Sequence, residues 1–298
     1  MKLLVTGAWK CTDEQLNELR QLGHEVCFMQ NESEHLPCDY AEVEGVICNG
    51  LFLHHQIEKF TSLKFIQLTS AGFDRVPMDY VNSHAIKIYN ARGVYSIPMA
   101  EFAISGVLQL YKQSSFFRDN QKNNTWEKHR GILELYGKNV CIIGCGNVGT
   151  ECAKRFNSFG CEVYGVDMFP RTDENYQQMY ALDGIDKCLA SADVVVLTLP
   201  LTDETRKMIN AKRLSIMKND SVLVNIARGP IIEQQALIEA LKTKLLGAVL
   251  DVFEQEPLSS DSPLWQIENV IITPHNSFIG DGNAKRLEKV ILENLEKW

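Results

Sequence analysis

Gly144, Gly146 and Gly149 stand in the stretch NVCIIGCGNVGTECAKRF, between an apolar run with strand character and a segment with helical periodicity. In that context each glycine has a separate task. The first permits a tight turn, the second lets backbone approach a pyrophosphate, and the third lets helix pack closely on strand. Asn147 and Val148 complete the turn and belong to the same candidate nucleotide site. The next apolar run, EVYGVD, ends in Asp167, at about the spacing where an acid accepts hydrogen bonds from an adenosine ribose. A carboxylate there repels a ribose 2′-phosphate, so the pattern favours NAD over NADP, a preference that Arg171 a few residues on weakens. Two other readings of the turn stay open: a purely structural glycine bend, and the glycine turn of a methyltransferase binding S-adenosylmethionine.

A second chemical signal is an arginine at the end of a buried strand. SVLV reads as strand, yet NIARGP places Arg228 at its end, with Gly229 and Pro230 behind it. A guanidinium at the rim of a buried sheet is costly unless an anion meets it there.

The elements that must carry these residues alternate in type. The runs KLLVTG, EVCFM, GVICN, FIQLT and IKIYN alternate with helix-like TDEQLNELRQLG and HHQIEKF, which predicts a parallel sheet with helices on its faces. After Asn90, the segment ARGVYSIPMAEFAISGVLQLYKQ predicts a long apolar helix with Pro98 in its first turn. The polar, aperiodic SSFFRDNQKNNTWEKHRG predicts an exposed arm or linker. Six further candidate strands follow: NVCIIG, EVYGVD, DVVVLT, SVLVNI, LLGAVLDV and NVIITP. Between them lie helical patterns such as Val148 to Phe159 and IIEQQALIEALKT, an arrangement that fits a doubly wound dinucleotide fold. NAKRLEKVILENLEKW reads as one amphipathic helix.

With 298 residues, the chain is long enough for two domains of ordinary size. A net charge of -8 disfavours nucleic acid or an anionic membrane as partner, since both reward clustered Lys and Arg. The nine cysteines show no CxxC spacing and several lie in apolar runs (Cys48, Cys141, Cys161), so they read as buried free thiols of a reducing compartment. MKLLVTGAWK is too short an apolar run for a signal peptide, and no stretch is long and apolar enough to span a bilayer, so a cytoplasmic protein is expected. No metal site is expected either, because His54 and His55 are adjacent rather than four apart on one helix face; they read as a solvated helix start. Cys145 reads as a small side chain facing the cofactor.

The motifs LTSAGFDRV, NARGVYSIPMAEFA, IIGCGNVG, LPLTDETR, NIARGP, LDVFEQEP and TPHNS, in that order, resemble the D-isomer-specific 2-hydroxyacid dehydrogenase family, which includes phosphoglycerate dehydrogenases, glyoxylate/hydroxypyruvate reductases and D-lactate dehydrogenases. The likeness runs from about Leu68 to the end, while the first fifty or so residues match in rhythm only. It implies an α/β chain of two doubly wound parallel-sheet domains. A flavodoxin-like substrate domain would span residues 1–95, with 277–298 returning to it, and a Rossmann NAD-binding domain would span 96–276. It makes Arg228, Glu256 and His275 a catalytic trio, with His275 as proton donor, Glu256 orienting it, and Arg228 gripping the carboxylate and carbonyl of a 2-oxo acid. Ser70, Ala71 and Gly72 would meet the substrate carboxylate. Leu199, Pro200, Thr205, Ile226 and Ala227 would line the cofactor, with Asp251 near the nicotinamide and Asn90 and Glu101 in structural roles. The implied activity is NAD-dependent interconversion of a D-2-hydroxy acid and its 2-oxo acid in a homodimer built on the helix from Pro98. The alternative is a non-catalytic, dinucleotide-sensing protein of corepressor type on the same scaffold. Family members commonly carry more chain after the last helix, so a stop at Trp298 predicts different domain closure.

Overall fold

The five apolar runs before Asn90 form one parallel sheet. The computed structural model describes residues 1–297 and begins with β1 (Lys2–Thr6), α1 (Asp13–Gln21), β2 (Glu25–Met29), β3 (Gly45–Cys48), β4 (Phe65–Leu68), α2 (Met78–Ser83) and β5 (Lys87–Tyr89). The strand order is β2-β1-β3-β4-β5 with every pair parallel, the flavodoxin-like order. β3 and β4 are buried along their whole length, which is why they read as apolar runs, with Gln67 the one polar residue among them. α1 starts at a capping box: Thr12 Oγ1 accepts from Gln15 N–H while Gln15 Oε1 accepts from Thr12 N–H. HHQIEKF is not an α-helix. Two 3₁₀ turns, Leu51–Leu53 just before it and Ile57–Lys59 within it, are formed instead.

The second unit comprises α3 (Ser96–Tyr111), α4 (Ser114–Lys122), β6 (Asn139–Ile143), α5 (Asn147–Ser158), β7 (Glu162–Val166), β8 (Gln178–Tyr180), α6 (Ile185–Ser191), β9 (Val194–Leu197), α7 (Ala211–Ile216), β10 (Val222–Asn225), α8 (Gln234–Thr243), β11 (Gly247–Leu250) and β12 (Val270–Ile272). Its seven parallel strands run β12-β11-β10-β9-β6-β7-β8, one more than the six apolar runs predict. The extra strand, β8, is a three-residue edge with no buried residue, too short for any periodicity to show. Chain order reverses between β6 and β9, and ligands of such sheets bind at that reversal, beyond the C-terminal strand ends. The polar arm after α3 is half helix: Gln113 at φ +55° breaks the chain between α3 and α4, and α4 buries none of its side chains. α3 packs so closely on β11 that a β-carbon on Gly106 would come within 2.6 Å of Val249 Cγ1.

α9 (Asn283–Glu296) belongs to the first unit, which comprises Met1–Tyr95 and the residues from Gly280 on, the second being Ser96–Ile279. The return falls at Gly280 rather than at residue 277 because the Ser277 N–H is bonded to Asp251 in the second unit. Leu287, Ile291 and Leu295 of α9 join Leu3, Val5 and Phe65 in one core cluster. Within that unit, buried Asn294 Nδ2 donates to buried Gln67 Oε1 at 2.8 Å. Among the described residues no helix is long and apolar enough to cross a membrane. Asn294→Ala leaves the Gln67 oxygen buried without that donor, and is expected to lower the unfolding free energy by about 1–3 kcal/mol. Urea titration measures this, and an unshifted midpoint would show that the amide pair does not anchor α9.

Candidate active site

The glycine turn after β6 is built around space. Gly144 has φ +96°, and a β-carbon there would lie 2.7 Å from Leu199 N, so only glycine fits. A β-carbon on Gly149 would lie 2.2 Å from Gly144 O, which keeps α5 tight against the turn. Gly146 is different, since a β-carbon on it would meet nothing within 4 Å. It is the N-cap of α5 and supplies no side-chain cap, so the helix starts at Asn147 and Val148 beside open space. An uncapped helix start with room before it suits a pyrophosphate.

Asp167 Oδ2 accepts from Cys145 N–H at 2.7 Å and Oδ1 from Phe169 N–H at 3.0 Å, which fixes the carboxylate beside the turn while leaving lone pairs for ribose hydroxyls. Arg171 holds the other end of the same residue: its Nη2 donates to Cys145 O at 2.9 Å and to Asp173 Oδ2 at 3.1 Å. That engagement weakens its claim on a 2′-phosphate. Cys145 does not face a ligand. It is fully buried with Sγ near Ile142 O and Val166 O, and burial, with the charge of Asp167 beside it, pushes its thiol up to about 12. Of the remaining cofactor candidates, Leu199, Ile226 and Ala227 are buried and Pro200 is exposed. Thr205 is a loop staple, its hydroxyl donating to Pro200 O at 2.8 Å and accepting from Thr202 N–H at 2.7 Å.

β10, β11 and β12 are neighbours, and the loops beyond their ends carry the three candidate catalytic residues. Asn225, fully buried, ends β10; its Nδ2 donates to Arg228 O at 3.0 Å and its Oδ1 accepts from Ala227 N–H at 3.1 Å, so one amide sets the turn that presents half-buried Arg228. Gly229 lies against the next loop so closely that a β-carbon would sit 1.8 Å from Phe253 C. Phe253 N–H in turn donates to Glu256 Oε1 at 3.0 Å. Glu256 Oε2 meets His275 Nδ1 at 2.8 Å.

Asp251 is fully buried directly after β11. Its Oδ1 accepts from Thr273 Oγ1 (2.6 Å) and Asn276 N–H (2.7 Å), and its Oδ2 from Ser277 N–H (2.9 Å). His275 N–H donates to the Asp251 carbonyl at 2.8 Å. Asp251 therefore holds the loop of His275 rather than offering a carboxylate to solvent. His275 itself has φ +51°, a left-handed conformation costing ~1–2 kcal/mol for a residue with a β-carbon. Asn225 and the loop-holding bonds of Asp251 are the site features that motif reading misses; the available signal is a polar residue closing an otherwise apolar strand.

In the first unit, the turn after β4 is tied by Asn90 Nδ2 to Ala71 O (2.6 Å) and by Ser70 Oγ to Gly72 O (3.2 Å). Among the described residues the N–H groups of Ala71 and Gly72 have no partner, as an anion-binding turn requires. Glu101 pairs with Arg155 at 3.2 Å. His55 is buried rather than solvated. Among the described residues no three His, Cys, Asp or Glu side chains gather where they would hold a metal ion.

Residues 104–277, more than half of the chain, match the profile of the D-isomer specific 2-hydroxyacid dehydrogenase, NAD binding domain. The chain is 34% identical over 245 residues to the D-3-phosphoglycerate dehydrogenase of Methanocaldococcus jannaschii, covering 81% of this chain and 46% of that one, so it spans about half the length of this relative. It is 33% identical over 243 residues to the glyoxylate reductase of Thermofilum pendens, covering 78% and 71%. Its fold superposes with a TM-score of 0.83 on a crystal structure of a D-isomer specific 2-hydroxyacid dehydrogenase family protein from Aeromonas salmonicida, 31% identical, covering 99% and 94%. Asp251→Asn turns amide hydrogens toward at least one of the loop's donors and is expected to destabilise the chain by about 1.5–3 kcal/mol. Hydrogen exchange at Asn276 and Ser277 should quicken with it, and unchanged exchange there would show that the loop is held by other contacts.

Proposed function

Because this chain belongs to the D-isomer specific 2-hydroxyacid dehydrogenase family, we propose that it interconverts a D-2-hydroxy acid and its 2-oxo acid with NAD as cofactor. The observation that carries the reading is the 2.8 Å contact between His275 Nδ1 and Glu256 Oε2. An ionised carboxylate only accepts, so Nδ1 carries hydrogen and Nε2 is left to exchange a proton with substrate. In reduction, Nε2–H of the imidazolium donates to the carbonyl oxygen; in oxidation, neutral Nε2 takes the hydroxyl proton. NAD, when bound, supplies or accepts the hydride at the substrate's second carbon. Arg228 offers a planar fork to the carboxylate and steadies charge developing on the neighbouring oxygen. Ala71 and Gly72 offer unpaired N–H groups to an anion, which supports reading the first unit as substrate-binding and the second as dinucleotide-binding.

A protein that only sensed dinucleotide would have no use for a histidine held at φ +51° against a glutamate, so the enzyme reading is preferred to the corepressor-like one. All nine cysteines are free, in keeping with a reducing compartment such as the cytoplasm. We assign the arm after α3 to contact with a second copy of the chain, since Trp126 is 98% exposed and Tyr136 77%.

The test is NADH oxidation across a panel of 2-oxo acids. Saturable turnover with at least one is expected, whereas tight NADH binding without turnover on any would favour the sensor. With a turned-over substrate, His275→Ala should lower kcat by at least ~100-fold while NADH affinity is retained. Near-normal turnover would take the imidazole out of the reaction. Asp167→Ser removes the charge that opposes a 2′-phosphate and should move the NAD to NADP preference toward NADP. An unaltered ratio would mean that another group reads the ribose.

A further inference from the structure

We propose that Glu32 is a specificity-determining residue that turns away substrates with a second anionic group, so that this chain takes 2-oxo acids whose sole charge is the carboxylate. The inference rests on the 2-oxo acid reading above and narrows its substrate class. Glu32 lies just past β2, and its carboxylate fills a set of donors at the C-terminal edge of the first unit's sheet. Oε1 accepts from Thr6 Oγ1 (2.8 Å) and Asn49 N–H (2.7 Å), and Oε2 accepts from Gly50 N–H (2.6 Å). The residue is pinned from behind as well. Its carbonyl accepts from His55 Nε2 at 2.8 Å, and His55 Nδ1 meets the Tyr40 hydroxyl at 2.7 Å. A carbonyl only accepts, so in the neutral ring Nε2 carries the hydrogen and Nδ1 receives the tyrosine proton, a chain of bonds with each donor matched to an acceptor.

The position of this carboxylate gives it a function. Asn49 and Gly50 follow β3, Ser70 to Gly72 follow β4, and Thr69 N–H donates to Cys48 O at 2.8 Å, so the two loops leave neighbouring strands at the same level. Ala71 and Gly72 keep their N–H groups unpaired, open to one anion. Asn49 and Gly50 have theirs filled by a carboxylate of the protein itself, which forms no ion pair among the described residues. Asn49 Oδ1 is moreover buried without a donor, so this loop has acceptors to spare. A phosphate or second carboxylate approaching it meets a fixed like charge and no free backbone donor of Asn49 or Gly50, whereas a hydrogen or hydroxyl meets no like-charge penalty.

Arg75 is the opposing candidate. It is exposed, it makes no hydrogen bond or ion pair among the described residues, and a β-carbon on Gly50 would lie 3.8 Å from its Cδ and 3.4 Å from Glu32 Oε2. An exposed guanidinium on a flexible stem gains little from an anion in water, typically under ~1 kcal/mol, so the immobilised carboxylate decides the selectivity.

The experiment compares kcat/KM for hydroxypyruvate and 3-phosphohydroxypyruvate, which differ only by the phosphate. The wild-type chain should prefer hydroxypyruvate by at least ~10-fold, and Glu32→Gln should narrow that ratio by about 10-fold through better use of the phosphorylated acid. Arg75→Ala should leave the ratio as it is. A wild-type preference for the phosphorylated acid that Arg75→Ala abolishes, or an unchanged ratio in a Glu32→Gln protein of normal thermal stability, overturns the proposal. If neither acid is reduced, the 2-oxo acid reading is decided separately by the wider panel. Calorimetric titration with inorganic phosphate then still decides the role of Glu32: one more phosphate bound by a folded Glu32→Ala chain than by wild type supports it, and equal stoichiometry and affinity of the two refute it.

Discussion

A carboxylate sealed from solvent directly after β11 governs the loop that carries His275. Taking Asp251 out of water costs several kcal/mol unless donors replace its hydration, and Thr273, Asn276 and Ser277 supply three. Those donors all lie in the loop after β12, so burying the carboxylate and shaping that loop are one event. The shape includes a left-handed residue that an unconstrained chain would avoid, and that residue is His275. The imidazole is thus aimed by contacts that never touch it, and Glu256 then selects which of its two nitrogens is left available.

The same division of labour recurs along the sheet. β10 ends in Asn225, which clamps the turn, and three residues later Arg228 is presented. Asp251, directly after β11, clamps the loop after β12, where His275 is presented, while Glu256 is presented from the loop after β11 itself. Clamp and presented group are different residues at each place, since the clamps Asn225 and Asp251 are fully buried with their polar atoms engaged in the turns they hold. A parallel sheet makes this economical, since all three strands run the same way and deliver their loops to one edge. Packing of Gly229 against the Phe253 backbone, with no room for a β-carbon, links the arginine turn to the loop that holds Glu256.

Much of this frame was legible from one dimension of pattern. β3, β4, β9, β10 and β11 are buried on both faces, so they are apolar runs broken only by buried Gln67 in β4 and Asn225 at the end of β10, and their alternation with helices points to parallel sheets. The glycine turn was legible because steric demands at Gly144 and Gly149 admit one residue type. What escaped the pattern depends on partners remote in sequence. Asp251 reads as a ligand-facing acid until its bonds to residues 273–277 are seen; His55 reads as solvated until Tyr40 and Glu32 enclose it. Cys145 reads as facing the cofactor, whereas its neighbour Gly165 on β7 leaves an inward slot, a β-carbon there lying only 2.6 Å from the sulfur. β8, three residues long with none of them buried, is too short to carry a periodic signal.

Unpaired backbone N–H groups supply a second kind of information that side-chain motifs omit. A folded chain pairs nearly all of its buried donors, so a loop that leaves them open near a strand end implies a ligand that completes them. Here the start of α5 is left uncapped, with open space at Gly146 on the scale of a pyrophosphate's approach, and Ala71 and Gly72 are left open for a smaller anion. The loop after β3 is built to the same plan, two consecutive N–H groups at the sheet's edge, yet its donors are consumed by Glu32. Two loops ask for negative charge and one already contains it. The pattern of open and filled donors thus separates loops with room for an anion from the loop that already holds one, through backbone groups that any amino acid but proline carries.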